Sequence, residues 1–151
     1  SLISASARFG AMVSGAPNEV KETLTVFGEK IGIAFQLADD IIDIASEAHQ
    51  SGKTPGTDLR EGVPTLVTLN VMASNKSEDA ELQRLLSGPI HDESEVQEVL
   101  RALRSHDALD LARQQLGQIA KDARTALGPL PVGPATGALF SLCDAVVDRS
   151  A

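Results

Sequence analysis

The sequence is 151 residues long, 42% hydrophobic and 23% charged with both signs interspersed, which suits one folded domain and leaves no room for a second independent one. Its 13 basic residues against 21 acidic give a formal charge of −8, which argues against nucleic acid as a partner, because backbone binding needs clustered Lys and Arg. No apolar run approaches the roughly 18 residues of a transmembrane segment and no signal-peptide pattern is present, so the expected location is cytoplasmic.

Taken in order, residues 1–13 are dense in small side chains, Ala5, Ala7, Gly10 and Ala11 among them, which would let a neighbouring helix approach closely. They begin without Met, at Ser1-Leu2-Ile3, in what reads as the middle of a helix with no cap ahead of it, so an upstream part is expected to be missing. Pro17 suits the first position of a long helix, and Glu19 and Glu22 favour the positive end of its dipole. Val20, Leu24, Phe27, Ile31, Ala34, Phe35, Ala38, Ile41, Ile42 and Ala45 recur every three or four residues, which predicts a buried stripe running to about Ser46.

From 47 to 62 the periodicity fails and Gly52, Pro55, Gly56 and Gly62 predict a loop. Pro64 restarts a helix through Asn75, and two shorter helices follow, broken at residues 87–89, with Asp92 or Ser94 capping the second. Residues 105–127 form another long helix with Leu109, Ala112, Leu116, Ile119, Ala120, Ala123 and Leu127 on one face. After a stiff stretch at 131–134, a last helix carries Leu139, Leu142, Cys143, Val146 and Val147. Cys143 reads as a small buried hydrophobe, and His49, His91 and His106, each in polar surroundings, read as surface residues. The pattern is all-α, a helical bundle.

Chemistry is concentrated at Asp39-Asp40-Ile41-Ile42-Asp43, inside the long helix. Asp is a mediocre helix former, and three carboxylates on adjacent turns repel one another unless a cation intervenes. Gln36, Asp39 and Asp43 share one side, with Asp40 about 100° round the helix, giving an oxygen-rich face suited to Mg²⁺ held by one or two carboxylates and substrate phosphates. Taken alone, the same acids also describe a solvated amphipathic face. Ten residues on, Gly52-Lys53 opens a glycine-punctuated stretch where the backbone can bend and Lys53 can meet a diphosphate, although an ordinary surface loop has the same composition.

The combination is more specific than its parts. Phe35-Gln36, Asp39-Asp40-Ile41-Ile42-Asp43, Gly52-Lys53, Gly56-Thr57-Asp58-Leu59-Arg60-Glu61-Gly62 and Thr65-Leu66 stand in an order that resembles the second aspartate-rich region of the trans-type polyprenyl diphosphate synthases. The resemblance implies that residues 1–151 are the C-terminal part of a single isoprenoid-synthase-type domain whose upstream half, with the first aspartate-rich motif, is absent. It implies a transferase that condenses an allylic prenyl diphosphate with isopentenyl diphosphate, with Mg²⁺ assisting loss of diphosphate. Asp39, Asp40 and Asp43 would hold metal, while Phe35, Gln36 and Lys53 would bind substrate. Two positions depart from the pattern: Val63 and Val67 stand where many relatives carry Lys and Pro. The chain alone is expected to be inactive and to self-associate through an uncovered apolar face. Another reading is a non-catalytic helical subunit of a heteromeric synthase. A helical terpene cyclase is disfavoured by the Gly-Lys and Asp-Leu-x-Glu-Gly elements.

Overall fold

The computed structural model describes residues 1–46 and 54–149. Their regular elements are all helical: α1 (Leu2–Val13), α2 (Asn18–Ala45), α3 (Thr57–Glu61), α4 (Leu66–Met72), a 3₁₀ turn (Ser77–Asp79), α5 (Ala80–Leu85), α6 (Glu93–Arg104), α7 (Asp107–Ala126) and α8 (Pro134–Asp148). The all-α expectation holds. Two compact units emerge, residues 1–38 with 115–149 and residues 39–114, so α2 and α7 each contribute to both.

In the first unit α1 is seated on α2 by backbone proximity. A Cβ on Gly28 would lie 2.6 Å from the Ser4 Cα, and the Ser4 hydroxyl donates to the Thr25 carbonyl at 3.1 Å. The close approach predicted from the small residues of 1–13 is thus made possible by a glycine of α2, while Gly10 faces open space. The Ser1 Oγ accepts from the Ser4 N–H at 3.3 Å in the first turn of α1. Phe27, Ile31, Ala34 and Ala38 form the buried stripe of α2 in this unit, but Phe35 is 39% exposed, with the Arg149 guanidinium 4.6 Å from its ring centre. α7 buries Leu116, Ala120 and Ala123, with Leu127 buried just beyond its end. It is tied to α8 by Arg124, which pairs with Asp144 and stacks over Phe140. Cys143 is buried as expected, and burial pushes its thiol pKa up, which leaves it inert.

In the second unit the buried stripe of α2 continues through Ile41 and Ile44, where the sequence pattern pointed to Ile41, Ile42 and Ala45. The stretch expected to be a loop contains α3, bounded by Gly56 and Gly62 with φ of 79° and 69°. At both ends the left-handed conformation favours glycine. Thr65 caps α4 in a reciprocal exchange with Thr68, and Asp92 caps α6 by accepting from the Glu95 N–H at 3.0 Å.

His106 is not a surface residue. Its side chain is 17% exposed; Nδ1 accepts from the Ala108 N–H at 3.0 Å, capping α7, and Nε2 lies 3.0 Å from the Asp79 carboxylate. The Ala108 donor assigns the ring proton to Nε2, which donates to Asp79. The Ser74 hydroxyl and the His106 ring hold the Asp79 carboxyl below its ordinary pKa. The His106 ring is hydrogen-bonded to Asp79 Oδ1, while Asp79 Oδ2 makes no hydrogen bond among the described residues. A depressed folded-state pKa means that this contact stabilises above the usual carboxylate value of about 3.9 and is lost as pH falls through the lower folded value. Thermal unfolding followed from neutral to strongly acidic pH is therefore expected to show a shallower acid loss in Asp79→Asn than in the unaltered protein. Identical pH profiles would remove Asp79 from that role.

Candidate functional site

The acid-bearing end of α2 lies in the second unit. Asp39, Asp40 and Asp43 are each half-buried, and the spacing of Asp39 and Asp43 sets them one turn apart. Asp43 is engaged on two levels. Its backbone carbonyl accepts from the Gly56 N–H at 3.0 Å, and its two carboxylate oxygens accept from the N–H groups of Thr57 and Asp58 at 3.2 Å each. Gly56 has no side chain to cap α3, so Asp43 supplies that cap from the end of another helix.

The clasp draws a fourth carboxylate close. Desolvation first, then the charges of Asp43, Asp40 and Glu61, all raise the pKa of half-buried Asp58. The three like charges among these influences make the potential at Asp58 locally negative, which a cation would relieve.

Asp39, Asp40 and Asp43 offer the hard oxygen donors that Mg²⁺ prefers, yet the described residues contain no converging group of three or more metal-binding side chains. They do not form an all-protein cage. With both Asp43 oxygens already accepting amide hydrogens, the donor set fits a cation held by one or two carboxylates and completed by water and phosphate oxygens, the usual manner for Mg²⁺.

Of the other expected site residues, Phe35 and Gln36 are exposed and belong to the first unit. Lys53 lies outside the described residues, as do Gly52 and His49. Val63 is 46% exposed, beside Asp58, Pro64 and Thr68 in a small open cleft. Val67 is fully buried in the first turn of α4.

Three residues around the clasp were not singled out from sequence. Arg60 donates to the Pro55 carbonyl at 2.7 Å and forks onto Glu93 of α6. At the other end of α6, Arg104 donates to the carbonyls of Ile44 and Ser46 at 2.8 and 2.6 Å, where α2 ends. A basic residue in a last helical turn was a visible signal, but its partners lie 58 and 60 residues away.

The class of this all-α chain is given by its similarity to known proteins. Residues 1–103 match the Polyprenyl synthetase family. The chain is 47% identical over 99% of its length to the nonaprenyl diphosphate synthase of Mycobacterium tuberculosis, of which it covers 44%. It is 33% identical over 93% of its length to heptaprenyl diphosphate synthase component 2 of Geobacillus stearothermophilus, covering 43% of that protein. The crystal structure of geranylgeranyl pyrophosphate synthase from Corynebacterium glutamicum, complexed with calcium and isoprenyl diphosphate, superposes with a TM-score of 0.89 at 38% identity, over 99% of this chain and 46% of that one. The chain belongs to the polyprenyl synthetase family, and its fold is that of the all-helical isoprenoid synthases. It spans a little under half the length of these relatives, which fits the expectation of a C-terminal portion.

Proposed function

We propose that the chain supplies the diphosphate-binding half-site of a polyprenyl diphosphate synthase, which joins an allylic prenyl diphosphate to isopentenyl diphosphate. The observation that carries this reading is the clasp of the acid-bearing end of α2 on the 56–58 turn, inside the stretch that matches the family. Asp39 would hold Mg²⁺, Asp43 would support it directly or through water while holding the turn, and Asp40 would add negative charge beside them. When bound, Mg²⁺ would neutralise the departing diphosphate as a Lewis acid. Lys53 holds the allylic diphosphate as a point charge, and Phe35 and Gln36 border the prenyl chain, roles that rest on the resemblance. Turnover requires the first aspartate-rich motif in addition, so binding is the property to measure.

No described helix is long and apolar enough to cross a membrane. The enzyme is read as cytoplasmic and homo-oligomeric; exposed apolar residues, among them Leu2, Phe9 and Val13, favour association with other copies or with the rest of the synthase. A mass in solution equal to that of a monomer would rule out self-association. The likeness to a protein named as one component of a heptaprenyl synthase favours a second reading, a helical subunit that works beside a different chain.

The test is calorimetric titration of Mg²⁺ with an allylic diphosphate, repeated on Asp39→Ala and Lys53→Ala. Metal-dependent binding that both substitutions weaken by about 10- to 100-fold is expected. No metal-dependent binding in the unaltered chain would overturn the reading of a preformed half-site, and adding the upstream segment would then separate a relic motif from one that needs its facing helix.

A further inference from the structure

Four residues of α6 lie in one stripe. Glu93, Val96, Leu100 and Arg104 are spaced three, four and four apart, the spacing of a single helix face. Each end and the middle of that stripe touch the segments that meet at the clasp. Glu93 holds Arg60, whose Nη1 in turn holds the Pro55 carbonyl. A Cβ on Gly56 would come within 3.0 Å of Val96 and 3.2 Å of Leu100, so the backbone at Gly56 rests directly on the helix. Arg104 holds the carbonyls of Ile44 and Ser46, immediately after Asp43.

We propose that α6 is a splint that sets the 55–60 turn against the acid-bearing end of α2, with Arg104 as its principal positioning residue. This deepens the functional reading above and rests on it. A rigid helix from Glu93 to Arg104 spans about 16 Å, and it fixes both partners of the Asp43 clasp without touching substrate. At Arg104 the physical fit is twofold. Its positive charge meets the negative end of the α2 dipole, and its planar fork satisfies two carbonyls on either side of Ala45 that lie at the end of the helical ladder. Lysine carries the charge but lacks the fork. Arg60 performs the matching task at the other end, with a more exposed bidentate pair.

Amide hydrogen exchange at Thr57 and Asp58, together with titration of Mg²⁺ and inorganic pyrophosphate, tests the splint. Arg104→Ala is expected to speed exchange at those two amides and to weaken metal-dependent pyrophosphate binding by about tenfold or more, as loss of supporting hydrogen bonds does elsewhere. Arg104→Lys should fall between the two. Leu127→Ala, a core change in the first unit, should lower the melting temperature while leaving both readouts in place. Should Arg104→Ala not fold, Arg60→Ala carries the same test from the other end.

Unchanged exchange and binding in the Arg variants would overturn the splint. Equal disturbance by Leu127→Ala would overturn it too, by showing that general stability controls both readouts. If the unaltered chain binds no pyrophosphate with Mg²⁺, the functional reading fails instead, and the exchange measurements still decide whether α6 holds the turn.

Discussion

Gly28→Ala is expected to unseat α1 from α2 and to destabilise the protein by about 2–3 kcal/mol. The added Cβ would stand 2.6 Å from the Ser4 Cα, 3.1 Å from the Ser4 nitrogen and 3.2 Å from the Ile3 carbonyl oxygen. All three are backbone atoms, so no change of rotamer relieves the overlap and α1 itself must move. That movement breaks the bonds from the Ser4 hydroxyl to Thr25 and from the Ser1 hydroxyl to the Gly28 carbonyl. In an exposed helix the same substitution stabilises by about 1 kcal/mol, because glycine loses more backbone freedom on folding than alanine.

Gly10→Ala supplies the comparison, since nothing lies within 4 Å of its Cβ position. Two chemically identical changes on adjacent helices should therefore move the melting temperature in opposite directions. Gly28→Ala should lower it by about 5–10 °C, and Gly10→Ala should raise it by a few degrees, on the usual relation for a chain of this size. A rise in both would mean that the two helices do not meet at Gly28.

This contact illustrates what could be read from the sequence. Small residues in 1–13 announced a close neighbour correctly, but the glycine that permits it belongs to the partner helix, and only the pairing identifies it. The long helices were legible because period 3.6 is a local property: α2 and α7 appear within a few residues of their expected bounds. The sequence pattern puts Phe35 in the buried stripe and passes over Ile44, because the face that a long helix buries changes as its neighbours change. α3 escaped because it is five residues long in a polar, glycine-rich stretch, and its cap comes from Asp43, 14 residues earlier. His106 looked exposed beside Ser105 and Asp107; its burial depends on Asp79, 27 residues away.

The candidate site divides along the same line. Three aspartates inside a helix are conspicuous at once, since their mutual repulsion needs an explanation. Arg60, Glu93 and Arg104 are ordinary helical charges until the fold brings Pro55, Ile44 and Ser46 to them. Residues that could hold the ligand were therefore legible, and residues that hold those residues in place were not.

Asp43 joins the two groups, and three forms of that position can separate its tasks. Asp43→Ala removes both acceptors for the Thr57 and Asp58 amides, which Gly56 cannot replace. Loss of a cap commonly costs about 0.5–2 kcal/mol. Here the cap also carries a charge, so local loosening of α3 and loss of metal-dependent diphosphate binding should appear together. Asp43→Asn keeps one carbonyl acceptor for one of the two amides and discards the charge. If Asp43 supports the cation, Asp43→Asn should retain much of the amide protection at Thr57 or Asp58 while still weakening Mg²⁺-dependent diphosphate binding by about tenfold. If Asp43 serves only as a cap, binding should follow protection, and the asparagine form should bind nearly as well as the unaltered protein. Amide exchange and calorimetry on the same three proteins decide between these outcomes, because the first reads the turn and the second reads the charge.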